Sequence, residues 1–203
     1  MLLELIPSDA SSPLSVSERD LAALAACERG TILLDVSARA DATLMALTGT
    51  NGRIALELRG GRLYGEQVLG ADGSPAAGPE AGDGVERRIL DAEDALGLDD
   101  GRPHTIALSV NETGTHLYAD GYECFSTTLT AFLAQIGLTG VSIDPDGIAE
   151  VTRLAAWAEP LSDRAVMAQS LAATPMVQFA ASELSARDAR RVGALATGAI
   201  RAL

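Results

Sequence analysis

From Gly30 onward the pattern is one of short apolar runs separated by Gly, Asp and Asn. That spacing predicts antiparallel strands. The runs Thr31 to Ser37, Thr43 to Thr48, Arg53 to Arg59 and Arg62 to Leu69 are the first strands. Ile54 to Arg59 ends in an apolar–polar alternation, and Gly60-Gly61 then offers the two positive-φ positions of a tight hairpin. His104 to Val110 and Thr115 to Ala119 form a second hairpin around Asn111-Glu112-Thr113-Gly114, followed by strands over Tyr122 to Thr127 and Ile148 to Trp157. Between Gly70 and Gly84 the chain is mostly Gly, Pro and Ala, which reads as a mobile surface loop. Helical spacing is confined to the margins: Ser17 to Cys27 with Ser15 or Ser17 as cap, Thr130 to Ile136, Ser162 to Leu171, and Glu183 to Leu195. The expectation is an all-β antiparallel two-sheet sandwich with short peripheral helices at both ends.

The length of 203 residues suits one such domain plus a tail. A net charge of −13 repels phosphate backbones and anionic membrane surfaces, so nucleic acid is excluded as an expected partner. All 15 basic residues are Arg, a mark of GC-rich coding that suggests a bacterial source. No run approaches the roughly 20 apolar residues that cross a bilayer, and Met1 to Ala10 lacks the basic-then-apolar order of a secretory signal. Cys27 and Cys124 read as two unpaired thiols, with one long-range disulfide as the alternative. His104 and His116 are too few for a histidine metal site.

The two ends resemble each other. Leu14 to Leu24 leads into Gly30-Thr31-Ile32, and Leu184 to Asp188 leads into Gly198-Ala199-Ile200, at offsets of 170 and 168 residues. Either the tail opens a second copy of the domain or it is an ordinary capped helix. The organisation expected is an N-terminal strand and helix lead-in over 1–29, a sandwich domain over 30–171, and a linker and helix over 172–203. An orphan half-repeat would leave an unpaired strand edge, so the expectation is partial disorder or a dimer through residues 184–203.

His104 to Val110 followed by Gly114 to Gly121, with Leu117-Tyr118-Ala119-Asp120-Gly121 at its end, resembles the paired strands of concanavalin A-like, laminin-G-like jelly rolls. Ile148 to Trp157 and then Leu161 to Val166 resemble their closing strand and helix. Gly30 to Leu34, Leu44 to Thr48, Ile54-Ala55-Leu56-Glu57-Leu58-Arg59 and the turn Phe132 to Ile136 before a Gly-containing strand are most similar to one branch. That branch is the lectin-like domain on the N-terminal side of bacterial sialidases and trans-sialidases. The resemblance covers about residues 30 to 171 and implies a module that binds terminal sialic acid on glycans, outside the cell or at its surface. An arginine fork would grip the sugar carboxylate through parallel charge-assisted hydrogen bonds. Arg59 and Glu57 are the residues the resemblance carries over, with Tyr64 across the turn as a sugar-facing aromatic. Alternation puts Glu57 and Arg59 on one face, away from Leu56 and Leu58. Arg53, Arg62 and Arg153 are further candidates by nearness to strand ends. The family's arginine loop before the closing strand is replaced here by Ser142-Ile143-Asp144-Pro145-Asp146-Gly147, which supplies acids instead. Trp157 sits in an apolar strand and reads as core.

The sequence lacks the signatures of catalysis. It has neither Asp-box repeats nor the clustered carboxylates that glycanases place about 5 Å apart, and it has no nucleophile elbow. No cofactor is expected. Calcium, which needs about six to eight oxygens, would have to draw on Asp99, Asp100, Asp144 and Asp146. The expectation is a non-catalytic carbohydrate-binding module of a larger sialidase-like protein. A structural or adhesion module with a protein partner is the alternative.

Overall fold

The computed structural model describes residues 1–6, 14–70, 86–92 and 96–173. The expected loop over 71–84, the helix Glu183 to Leu195, the second repeat and its dimer all lie outside these residues. In chain order the elements are β1 (Leu3–Leu5), α1 (Glu18–Ala25), β2 (Gly30–Ser37), β3 (Ala42–Gly49), β4 (Gly52–Arg59), β5 (Arg62–Leu69) and β6 (Glu86–Asp91). There follow β7 (His104–Val110), β8 (Thr115–Ala119), β9 (Tyr122–Thr127), α2 (Leu133–Ile136), β10 (Leu138–Ile143), β11 (Glu150–Trp157) and α3 (Asp163–Ala173).

Two antiparallel sheets make a jelly-roll sandwich. One has the order β1-β11-β2-β7-β8-β9 and the other β10-β3-β4-β5-β6. The facing sides supply the main core, with Ile32, Leu34 and Val36 of β2 and Ile106 and Leu108 of β7 opposite Ile54, Leu56 and Leu58 of β4. All are almost wholly buried, and each such side chain contributes roughly 1.5–3 kcal/mol.

The lead-in folds into the same unit. β1 pairs with β11 through Leu3 opposite Ala156, and α1, capped by Ser17 accepting from the Asp20 backbone N–H, drops Leu24 into the core. β11 starts two residues later than its apolar run because the N–H groups of Ile148 and Ala149 donate to Asp144 Oδ1 at 3.1 and 3.0 Å. Those donors are thereby withdrawn from the ladder. Cys27 and Cys124 are free thiols, and burial pushes Cys124 up to about 11.

The outward side of the six-stranded sheet is closed over. There Leu33, Ala107, Tyr118 and Val166 form a second small core, with Trp157 and Leu161 packed against it. The Tyr118 hydroxyl donates to Asp163 Oδ1 at 2.9 Å, tying α3 to the sheet. Trp157 is thus a packing residue, in keeping with its apolar strand.

Candidate functional site

The outward side of the five-stranded sheet carries the charged residues. Along β4 the burial alternates without a break, Gly52, Ile54, Leu56 and Leu58 inward and Arg53, Ala55, Glu57 and Arg59 outward. The hairpin to β5 is two residues long, Arg59 pairing with Arg62 and Glu57 with Tyr64. Gly60 and Gly61 both have positive φ, 58° and 72°, which only glycine adopts without strain and which matches the right-handed twist of the strands. Asp41 Oδ1 accepts from the Gly60 N–H at 2.6 Å and so fixes the turn.

This register brings three sequence-predicted residues together. Glu57 Oε2 accepts from Arg59 Nε at 2.8 Å and stands 2.6 Å from Nη2. The Arg59 guanidinium carbon lies 3.6 Å from the centre of the Tyr64 ring, a cation–π contact. Partial burial opposes the Arg59 charge, but the hydrogen bond and charge of Glu57 outweigh it and hold the guanidinium more firmly protonated. Arg59 remains half exposed, with a side-chain accessibility of 51%. Glu57 occupies its Nε–Nη2 edge, and a guanidinium has five N–H donors, so the remaining donors suit an incoming carboxylate.

The other candidates sit elsewhere. Arg62 is beside the turn, 3.9 Å from Asp91. Arg53 is six residues along β4 from Arg59, about 20 Å away. Its Nη2 is 2.7 Å from Glu66 Oε2, and Arg87 holds the other oxygen of the same carboxylate. Arg153 is on the opposite sheet, bound to Glu4 at 2.9 Å, Gln169 at 2.9 Å and Asp35 at 3.5 Å, and so does not join the Arg59 group. The sequence signalled neither Glu66 nor Arg87 as members of this face. Period-two alternation from Tyr64 marks Glu66 once β5 is drawn, whereas Arg87 needs the β5–β6 pairing.

The acids proposed for calcium are dispersed. Asp100 stands 3.1 Å from His104 Nε2, Asp144 caps Ile148 and Ala149, and Asp146 Oδ2 accepts from Thr43 N–H at 3.3 Å. Asp99 lies against Gly61. Among the described residues no three His, Cys, Asp or Glu are grouped to hold a metal ion.

The sequence matches no family model and no curated protein. Its fold does match solved structures. The CBM40 of the Ruminococcus gnavus IT-sialidase superposes with a TM-score of 0.61 at 18% identity, over 84% of this chain and 99% of that one. The chain has the fold of a sialidase CBM40. The same CBM40 bound to α2,6-sialyllactose gives 0.59 at 18% identity, over 83% and 98%. The leech intramolecular trans-sialidase, complexed with 2,7-anhydro-Neu5Ac, gives 0.62 at 16% identity, over 83% of this chain and 27% of that larger one. The sialidase-associated jelly roll expected from Ile54 to Arg59 and from Phe132 to Ile136 is therefore the architecture observed. At these identities the CBM40 likeness concerns the fold.

Proposed function

We propose that the chain is a non-catalytic carbohydrate-binding module for terminal sialic acid, belonging to a larger sialidase-like protein. The observation that carries this reading is the half-exposed Arg59, held by Glu57 and Tyr64 on an open sheet face. A CBM40 of the same fold binds sialyllactose. A sialate carboxylate pairs with the remaining Arg59 donors, while Glu57, an acceptor only, takes hydrogen bonds from the sugar's hydroxyl or amide N–H groups. The Tyr64 ring stacks under the guanidinium and limits its rotamers, which reduces the entropy lost on binding. Attached to a catalytic domain, such a module raises the local concentration of glycan substrate.

A glycan array probed with the chain and with Arg59→Ala tests the reading. Selective binding to sialylated glycans that disappears in the variant is expected. Binding confined to neutral glycans would remove sialic acid from the account. A folded chain that binds no glycan would turn the reading towards a structural or adhesion module.

A further inference from the structure

The charges around Arg59 are unusual for a site that is to receive an anion. Four carboxylates stand near this part of the sheet: Glu57 on Arg59, Asp91 in register with Tyr64, Asp41 on the Gly60 N–H and Asp146 on the N–H of Thr43, the strand partner of Glu57. Glu57 is paired with Arg59 and Asp91 with Arg62. Asp41 and Asp146 have no cationic partner among the described residues, and each holds a backbone N–H instead, of Gly60 and of Thr43. The Gly60 bond is short at 2.6 Å and belongs to the turn, but the Thr43 bond is 3.3 Å long. Thr43 is the register partner of Glu57, so the exposed Asp146 carboxylate stands at the β3 side of the Arg59 group. The whole chain adds a net charge of −13 to this local surplus of acid.

Resting on the sialic-acid reading of Arg59, we propose that Asp146 is a specificity-determining residue that holds down the site's affinity for anionic sugars. An arriving carboxylate gains a contact with Arg59 but crosses a negative field to reach it. Salt screens the longer-range repulsion more than the contact pair, because the Debye length falls from about 10 Å at 0.1 M to a few ångströms at high salt. Anionic glycan binding to this chain therefore tightens as salt rises, the reverse of an ordinary basic anion site. The neutral part of the ligand, held by hydrogen bonds, is indifferent to both changes.

The test is calorimetric titration of 3′-sialyllactose and of lactose into the full chain, Asp146→Asn, Asp146→Arg, Arg59→Ala and Glu112→Gln, at 50 and 500 mM NaCl. Asn retains an acceptor for the Thr43 N–H, and Glu112→Gln changes net charge equally from the β7–β8 hairpin. At low salt Asp146→Asn binds 3′-sialyllactose about two- to fivefold more tightly, as one charge about two strand spacings, roughly 9 Å, away implies. Asp146→Arg gains more, Glu112→Gln changes little, and the gain shrinks at 500 mM. If the chain binds 3′-sialyllactose, loses it in Arg59→Ala and is unmoved by both Asp146 variants, the role of Asp146 is overturned and the site stands. Wild-type affinity that falls steeply with salt also overturns it. If neither the chain nor the Asp146 variants bind 3′-sialyllactose, the sialic-acid reading falls, and this inference with it.

Discussion

On the six-stranded sheet the outward residues Thr31, Leu33 and Asp35 of β2 are buried, whereas on the five-stranded sheet the outward residues of β4, from Arg53 to Arg59, reach the surface. The two faces solve different problems. The covered one has no solvent to satisfy its polar groups, so they bond to one another: Thr31 with Ser109 at 2.9 Å, Thr105 donating to Asp35 at 2.8 Å, and Leu161 N–H donating to Thr31 at 2.9 Å. Burial pushes the Asp35 carboxyl up, although Thr105 and Arg153 pull against it. The open face instead keeps its charges in local pairs with donors left over. One side orders its polar groups among themselves in the interior, and the other holds Arg59 half exposed against Glu57 and Tyr64.

Substitutions that break this contrast rank by size. Leu33→Ala, in the covered core, should cost about 2–5 kcal/mol, read as a lower midpoint in chemical denaturation. An effect below 1 kcal/mol would show that α3 is only loosely seated. On the open face Glu66→Gln removes the carboxylate shared by Arg53 and Arg87 and should cost about 1–3 kcal/mol, because two guanidiniums lose a nearly buried partner. That loss would mark the Arg53 end as structural. Tyr118→Phe keeps the ring and deletes its bond to Asp163, for about 0.5–1.5 kcal/mol.

A smaller effect concerns the edge between the faces. His104 lies between two carboxylates, 2.8 Å from Asp120 and 3.1 Å from Asp100. Two ionised acceptors need N–H donors on both ring nitrogens, so the imidazolium is favoured. The Asp120 hydrogen bond, opposed by burial and helped by Asp100, raises the His104 pKa. A raised folded value gives stability that is fully present below the unfolded value of about 6.5 and lost as pH rises through the folded one. Thermal midpoints should therefore decline over that window and decline less in His104→Gln. Smallest of all in stability, Arg59→Ala should shift unfolding by no more than about 0.5 kcal/mol, as expected for an exposed residue. On the proposed reading its larger effect is on glycan binding.

Much of this was legible because it is local. Alternation along Ile54 to Arg59 and two glycines after it suffice to put Glu57, Arg59 and Tyr64 on one face, since strand period and turn type leave no other register. β6 escaped for the opposite reason, and β1 was placed no more closely than a strand somewhere in the lead-in. Leu3–Leu5 is three residues long, and Glu-Arg-Arg-Ile-Leu-Asp has no alternation, so each is a strand only through its partner. The same holds for the long-range polar contacts. Asp146 meets Thr43 across 103 residues of sequence, and Arg153 finds Glu4 across 149, partners that only the sheet topology supplies.

The most direct measurement is an amide NMR titration of the labelled chain with 3′-sialyllactose. Shift changes centred on Glu57, Arg59, the Gly60-Gly61 turn and Tyr64 are expected, with Leu33, Tyr118 and Val166 unmoved. Changes centred on α3 and the covered face, or no saturable change in a folded sample, would contradict the proposed Arg59 site.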